Sequence, residues 1–366
     1  MELSPFLATE TMAWEEAEAG LTRMKAYRSH ARKLLSEKVN MEEAQKCLNS
    51  DLSPEIYNGL FACVAISRHA YRWATIPIIK VAQEETVVEF PPELDMAWSF
   101  LQQRYGVTSP GGNVTSNFYC NYDSDDNLVY TFNVGMPDAI RAAEYHFGHI
   151  FPAMERQGLP IYYHMVMAIL SSKRDDLKQT VQHLKSISEH LKPTLKIFFD
   201  SLVDSKVSKK YWMRYVQGIQ GWAAGNMVDS KYIEYDGLSG NQLLLLHCVD
   251  AFLGLEPYLP IENTLRYIPH LQRELSTAFS KHSFRRKAEK ANNSRVVAEM
   301  DSIAKQLRLF RASHRSRATP YLSVPAPERL IMTAGKSVLE SDAIQNVKSA
   351  IGFLDVLLLK RFQQTR

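Results

Sequence analysis

The chain reads as an all-α protein, and three observations predict it. Apolar residues recur at three- and four-residue steps in eight separate segments. Strand-like alternation is confined to two short stretches, Thr86 to Phe90 and Leu128 to Val134, both flanked by polar or proline-rich turns. A chain of 366 residues with 45% hydrophobic and 10% aromatic content can also bury a sizeable core.

The helical periodicity covers Ala13 to Glu37, Pro54 to Trp73, Asp95 to Arg104 and Pro137 to Arg156, then Ile161 to Ser171, Asp175 to Leu202, Gln242 to Leu253 and Val296 to Arg317. Two stretches interrupt it. Thr108 to Asp126 is rich in Gly, Ser, Asn and Asp and reads as an irregular connection ending an N-terminal unit. Tyr321 to Lys336 carries two prolines and a glycine, and a loop of that length in a compact domain often lies over a binding site. No internal repeat or low-complexity tract is visible.

Charge and composition exclude several classes. Forty-three basic against 40 acidic residues leave a net charge of +3, which demands neither nucleic acid nor an anionic membrane as partner. The basic run Lys281 to Lys290 reads as a solvated face or mobile loop, with a phosphate-binding patch as the competing reading. Cys47, Cys63, Cys120 and Cys248 form no CxxC pair, so reduced thiols are expected. The acidic N-terminus has no secretory or mitochondrial pattern, and no stretch approaches the roughly 18 apolar residues that span a bilayer. A cytoplasmic protein is expected.

No GxSxG, HExxH, GxxxxGK[ST] or GxGxxG motif is present, so hydrolase, zincin and nucleotide-binding readings lack support and a borrowed cofactor is favoured. Among eleven histidines only His146 and His149 stand three or four residues apart, which gives non-haem iron or zinc little to build on. His314 is different. Met300, Ile303, Leu307, Phe310 and His314 project from one side of a helix. An imidazole on an apolar stripe, with Arg311, Arg315 and Arg317 nearby for propionates, suits a proximal haem ligand. The same placement suits a core histidine bonded to a backbone carbonyl.

The segment Tyr235 to Leu255 places Gly237, Ser239 and Gly240 in a turn ahead of a helix. Such a turn lets a flat or anionic group approach backbone amides. It equally serves as a cap, with Ser239 or Asn241 at the N-cap. Asp250, among Leu243 to Leu246, Val249 and Phe252, needs a partner if buried, and Arg311 would suit.

Together these segments resemble the indoleamine 2,3-dioxygenase family of haem enzymes. GLSGNQLLLLHCVDAFLGL is similar, without a gap, to the family's glycine- and serine-containing turn, glutamine and aspartate-bearing helix. FRASHRSRATPYL is similar to its ligand helix, with arginine three residues before the histidine. RYGVTSPGGNVTSNFYCNY, EYHFGHIFPAMER, YWMRYVQGIQGW and YIP resemble further family segments, the first after an insertion.

The resemblance implies an all-α, two-domain fold, with a small helical domain over residues 1–133 and a larger haem-binding domain over 134–366. It implies His314 as proximal ligand of haem b iron and Arg311 with Asp250 as its supporting pair, with Ser239 and Gly240 near the haem edge. Phe118, Phe147, Phe151 and Tyr211 would wall the pocket, and Thr333 would sit in a closing loop. The implied activity inserts O2 across the C2–C3 bond of an indole-type substrate, with an electron donor keeping the iron ferrous. A monooxygenase of an aromatic metabolite, a non-catalytic haem protein and a plain helical interaction protein without haem are the alternatives.

The departures concern substrate. Val216 stands where the family has an arginine for the amino-acid carboxylate, and Phe151 where it has a small hydroxyl residue. Arg214, two residues earlier, is rotated by about 200° on an α-helix, so it replaces that arginine only through a change of geometry. Free L-tryptophan is expected to bind poorly.

Overall fold

A long antiparallel helix pair forms the spine on which the other elements pack. The structure is a computed structural model that describes residues 14–73, 85–217, 219–222, 224–235, 237–238, 240–257, 259, 261–322, 332–333 and 336–337. Its main helices are α1 (Trp14–Lys38), α2 (Met41–Leu48), α3 (Pro54–Trp73), α4 (Pro92–Tyr105), α5 (Asp138–Lys173), α6 (Leu177–Ser201), α7 (Leu244–Phe252), α8 (His270–His282) and α9 (Ser294–Leu322). The all-α expectation holds. Among the described residues no helix is long and apolar enough to cross a membrane.

The spine is α5 and α6. Asp175 takes a left-handed conformation with φ of 55°, and the Asp176 carboxylate accepts from the Gln179 amide at 3.0 Å, so one turn ends α5 and caps α6. The sequence predicts two helices across 137–171, whereas α5 runs through Pro152 and Pro160 without interruption. A proline inside a helix costs about 3 kcal/mol. Ile150, Phe151, Met154, Ile161 and Met165 bury one face of α5 in the main core, each contributing roughly 1.5 to 3 kcal/mol, and that outweighs the two prolines. The same core takes Leu184, Ile187 and Leu191 from α6, Val249 and Phe252 from α7, and Met300, Ile303, Leu307 and Phe310 from α9. The α9 stripe is therefore the core-facing one its spacing predicts.

Neither predicted strand forms. Val87 makes an isolated bridge to Gly225 and Leu128 one to Tyr122. The sheet lies elsewhere, with β1 (Gly225–Val228) pairing antiparallel to β2 (Lys231–Glu234). Asp229 and Ser230 both have positive φ, the conformation a two-residue hairpin turn requires, but neither is the glycine that usually signals it. A shorter pair, β3 (Met332–Thr333) and β4 (Lys336–Ser337), falls in the predicted loop. Tyr321, expected to open that loop, belongs to α9.

The start of α7 also departs from expectation. Its N-cap is Leu243, which offers no side-chain bond, and Asn241 lies in the preceding turn Gly240–Gln242. Ser239 lies outside the described residues. The cap comes from α5: Glu155 Oε1 accepts from the Leu245 amide at 2.9 Å, and the Tyr119 hydroxyl accepts from Leu244 at 3.3 Å. Tyr119 and Tyr162 donate to the same carboxylate at 2.9 and 2.6 Å. A buried carboxylate thus satisfies orphan amides at a helix N-terminus, where negative charge is favoured. Glu155→Ala should lower unfolding free energy by roughly 2 to 4 kcal/mol, because it leaves several buried donors unpaired. Denaturant titration checks this, and a loss below 1 kcal/mol would show that the site rewets without cost.

Candidate active site

The last third of α9 carries the candidate cofactor residues. Arg311 is one turn before His314, and its guanidinium Nη2 donates to both carboxylate oxygens of Asp250 at 2.6 Å. Both residues are buried, Asp250 with 4% and Arg311 with 8% of its surface exposed. The pairing predicted from sequence is present, and it fixes α9 against α7. Arg311 Nη1 is buried and finds no hydrogen-bond partner.

The His314 ring packs on Phe198 of α6 at 4.8 Å and on Phe310 at 5.9 Å between centroids. Among the described residues neither ring nitrogen forms a hydrogen bond. Part of the residue still meets solvent, yet the protein packed around the ring pushes its pKa down to about 4 through desolvation. The imidazole is neutral at pH 7, the state in which it can donate a lone pair to a metal. No group of three or more His, Cys, Asp or Glu stands in a metal-binding arrangement among the described residues.

The predicted aromatic wall assembles in part. Phe118 stacks on Phe151 at 4.7 Å and 15°, and Phe147 meets both edge-on at 6.1 and 5.9 Å. Close approach needs Gly148, where a Cβ would lie 2.5 Å from the Tyr122 hydroxyl and 3.2 Å from the Phe118 ring. Tyr211 stands apart, with Tyr215 at 5.9 Å beside Met136 and Ile140. Its neighbour Trp212 takes the place beside Phe147, at 6.0 Å, and reaches Tyr321 of α9 at 5.8 Å. Sequence reasoning missed Trp212, since nothing in the spacing distinguishes it from Tyr211.

Residues Trp212–Gln217 form a π turn rather than an α-helix. Such a turn closes i→i+5, which narrows the angle between successive residues only modestly, so positions 214 and 216 remain about half a turn apart along the backbone. Val216 is 2% exposed and belongs to the same core as Phe118, Phe151 and Trp212. Of Arg214 and Thr333 only the backbone is described. Gly240 is exposed, with open space where a Cβ would sit. Gln242, buried behind it, accepts from the Val114 amide at 2.9 Å and so ties this loop to the segment bearing Phe118.

A cavity of about 650 Å³ borders α9 through Ser313, Ser316, Arg317 and Tyr321, with Phe199 and Lys209 opposite. That face is roughly a third of a turn from His314 and nearly opposite Arg311.

The sequence profile described as Indoleamine 2,3-dioxygenase matches residues 114–350. The chain belongs to the indoleamine 2,3-dioxygenase family. No curated protein matches it by sequence. The indoleamine 2,3-dioxygenase match spans His314, Arg311, Asp250, the three phenylalanines, Trp212 and Val216, so the family region and the assembled side chains coincide. Its members are haem-dependent oxidoreductases.

Breaking the Asp250–Arg311 pair from either side strands a buried charge. Asp250→Ala and Arg311→Ala should each cost roughly 3 to 5 kcal/mol. The double variant should lose less than the sum, and strict additivity in a denaturation cycle would contradict direct coupling.

His314 gives a pH signature in the haem-free protein. Its folded pKa near 4 lies below the ordinary 6.5, so the unfolded chain binds the extra proton as pH falls between those values. Stability should fall with pH across that window and level off below it. The difference between wild type and His314→Phe isolates this slope, and parallel stability curves from pH 4 to 7 would contradict it.

Proposed function

We propose that this protein is a haem b-dependent dioxygenase that opens the C2–C3 bond of an indole lacking a free amino-acid carboxylate. The observation that carries the reading is the neutral, unbonded His314 imidazole beside a buried arginine with a free N–H, within a family of haem enzymes. These residues fit the cofactor. His314 would ligate the iron, and Arg311, held by Asp250, would direct Nη1 to a propionate. When bound, haem supplies the ferrous iron that activates O2, with an external electron donor keeping it reduced.

The protein's part is placement and exclusion of water. Phe118, Phe147 and Phe151 offer edges and faces to a flat aromatic ring, and Trp212 closes the wall toward α9. Gly240 would leave room at the cofactor edge. The small domain, residues 1–133 in this reading, contributes Phe118 to a site otherwise built by residues 134–366.

Val216 supports the substrate class. A carboxylate entering an apolar wall needs a charged partner, and a charge-assisted bond is worth roughly 1.5 to 3 kcal/mol, or about tenfold to more than a hundredfold in affinity. Haem-loaded protein with reductant and 18O2 should convert a decarboxylated indole such as tryptamine to a ring-opened product carrying two labelled atoms. L-Tryptophan should be poorer by at least about tenfold, and Val216→Arg should narrow the gap. Efficient wild-type conversion of L-tryptophan that survives Arg214→Ala would overturn the substrate class, and a singly labelled product would overturn the dioxygenase.

A further inference from the structure

The π turn at Trp212–Gln217 has a tie from outside its own helix. Asn133, 82 residues earlier, donates Nδ2 to the carbonyl of Tyr215 at 3.0 Å. The same amide nitrogen donates to Glu144 Oε2 at 2.7 Å, so both of its hydrogens are committed. Glu144 is fixed in turn. Its Oε1 accepts from the Phe132 amide at 2.6 Å and its Oε2 from the Asn133 amide at 3.0 Å. Asn133 is 2% and Glu144 7% exposed, so neither bond has water to replace it.

Wide turns form where a side chain engages a helix carbonyl, and their usual association is with functional sites. Tyr215 directly precedes Val216, which with Trp212 places this turn in the apolar core shared with Phe118 and Phe151. A return to α geometry would change the angle between successive side chains and turn Val216 away from that wall. Nothing in the sequence of the turn calls for this shape: it has no proline or glycine from Trp212 to Gln217.

We infer that Asn133, oriented by Glu144, is a positioning residue that holds the 212–217 segment in its wide turn and thereby sets substrate selectivity. The selectivity half rests on the reading of this turn as the substrate wall. The carbonyl tie stands without it. The pair spans residues 132–144, the junction proposed between the two domains, so the selectivity of the large domain depends on how that junction is seated.

The test uses full-length Asn133→Leu, which keeps side-chain size and removes both donors, and Glu144→Gln, which keeps the shape and removes the charge. Two readouts are needed. In protein without added haem, amide exchange across 212–217 should rise roughly tenfold in Asn133→Leu and less in Glu144→Gln, with α9 unchanged. In haem-loaded protein, the tryptamine to L-tryptophan ratio of kcat/KM should shift several-fold, carried by KM, with the haem band retained.

Unchanged exchange in a folded variant overturns the tie. Raised exchange with an unaltered selectivity ratio overturns the positioning role, as does haem loss with the ratio preserved, since that is the mark of a merely structural residue. If wild type shows no indole-dependent spectral change or turnover, the substrate reading fails and takes selectivity with it. The exchange comparison still decides the tie on its own.

Discussion

The buried Arg311–Asp250 pair is the constraint on which the candidate site depends. Removing each charge from water costs several kcal/mol, so the pair adds little net stability over well-packed apolar residues. It heavily penalises any arrangement in which the charges separate. Sliding or rotating α9 by one residue would strand a guanidinium among Leu245, Val249 and Phe252, and the helix is held in one register. His314, one turn further on, inherits that register, and its ring is delivered to Phe198 and Phe310 with both nitrogens unengaged.

The remaining walls are joined by buried polar ties between segments far apart in sequence. Glu155 binds α5 to the start of the Asp250 helix, Gln242 binds the Gly240 turn to the Phe118 segment, and Asn133 binds the segment just before α5 to the π turn. In each, one buried side chain bonds backbone groups of a segment distant in sequence. Apolar packing brings these segments together without fixing their orientation, whereas a hydrogen bond with both partners buried tolerates little displacement. These ties fix the relative orientation of the segments that carry the candidate site.

Much of this was legible in the residues. The α9 stripe follows from three- and four-residue spacing, and the Asp250–Arg311 pair from the rule that a carboxylate in an apolar run must find a cation. What stayed hidden is set by contacts between distant segments. The hairpin escaped because Asp229 and Ser230 hold positive φ without glycine, and α5 looked like two helices because the local cost of Pro152 and Pro160 is visible while the burial that outweighs it is not. Trp212 could not be separated from Tyr211, and the π turn could not be foreseen, because Asn133 and Glu144 are 82 and 71 residues from Tyr215. The family resemblance is what favours the ligand reading of His314, where spacing alone left two readings open.

The most direct measurement of the central claim is resonance Raman of ferrous, haem-reconstituted protein, comparing wild type with His314→Ala. The account predicts one equivalent of haem and an iron–histidine stretch in wild type. In His314→Ala that stretch should be lost, far-UV helicity retained, and the band restored by exogenous imidazole. A histidine-ligated spectrum that persists in His314→Ala, or a wild-type protein that takes up no haem, would contradict it.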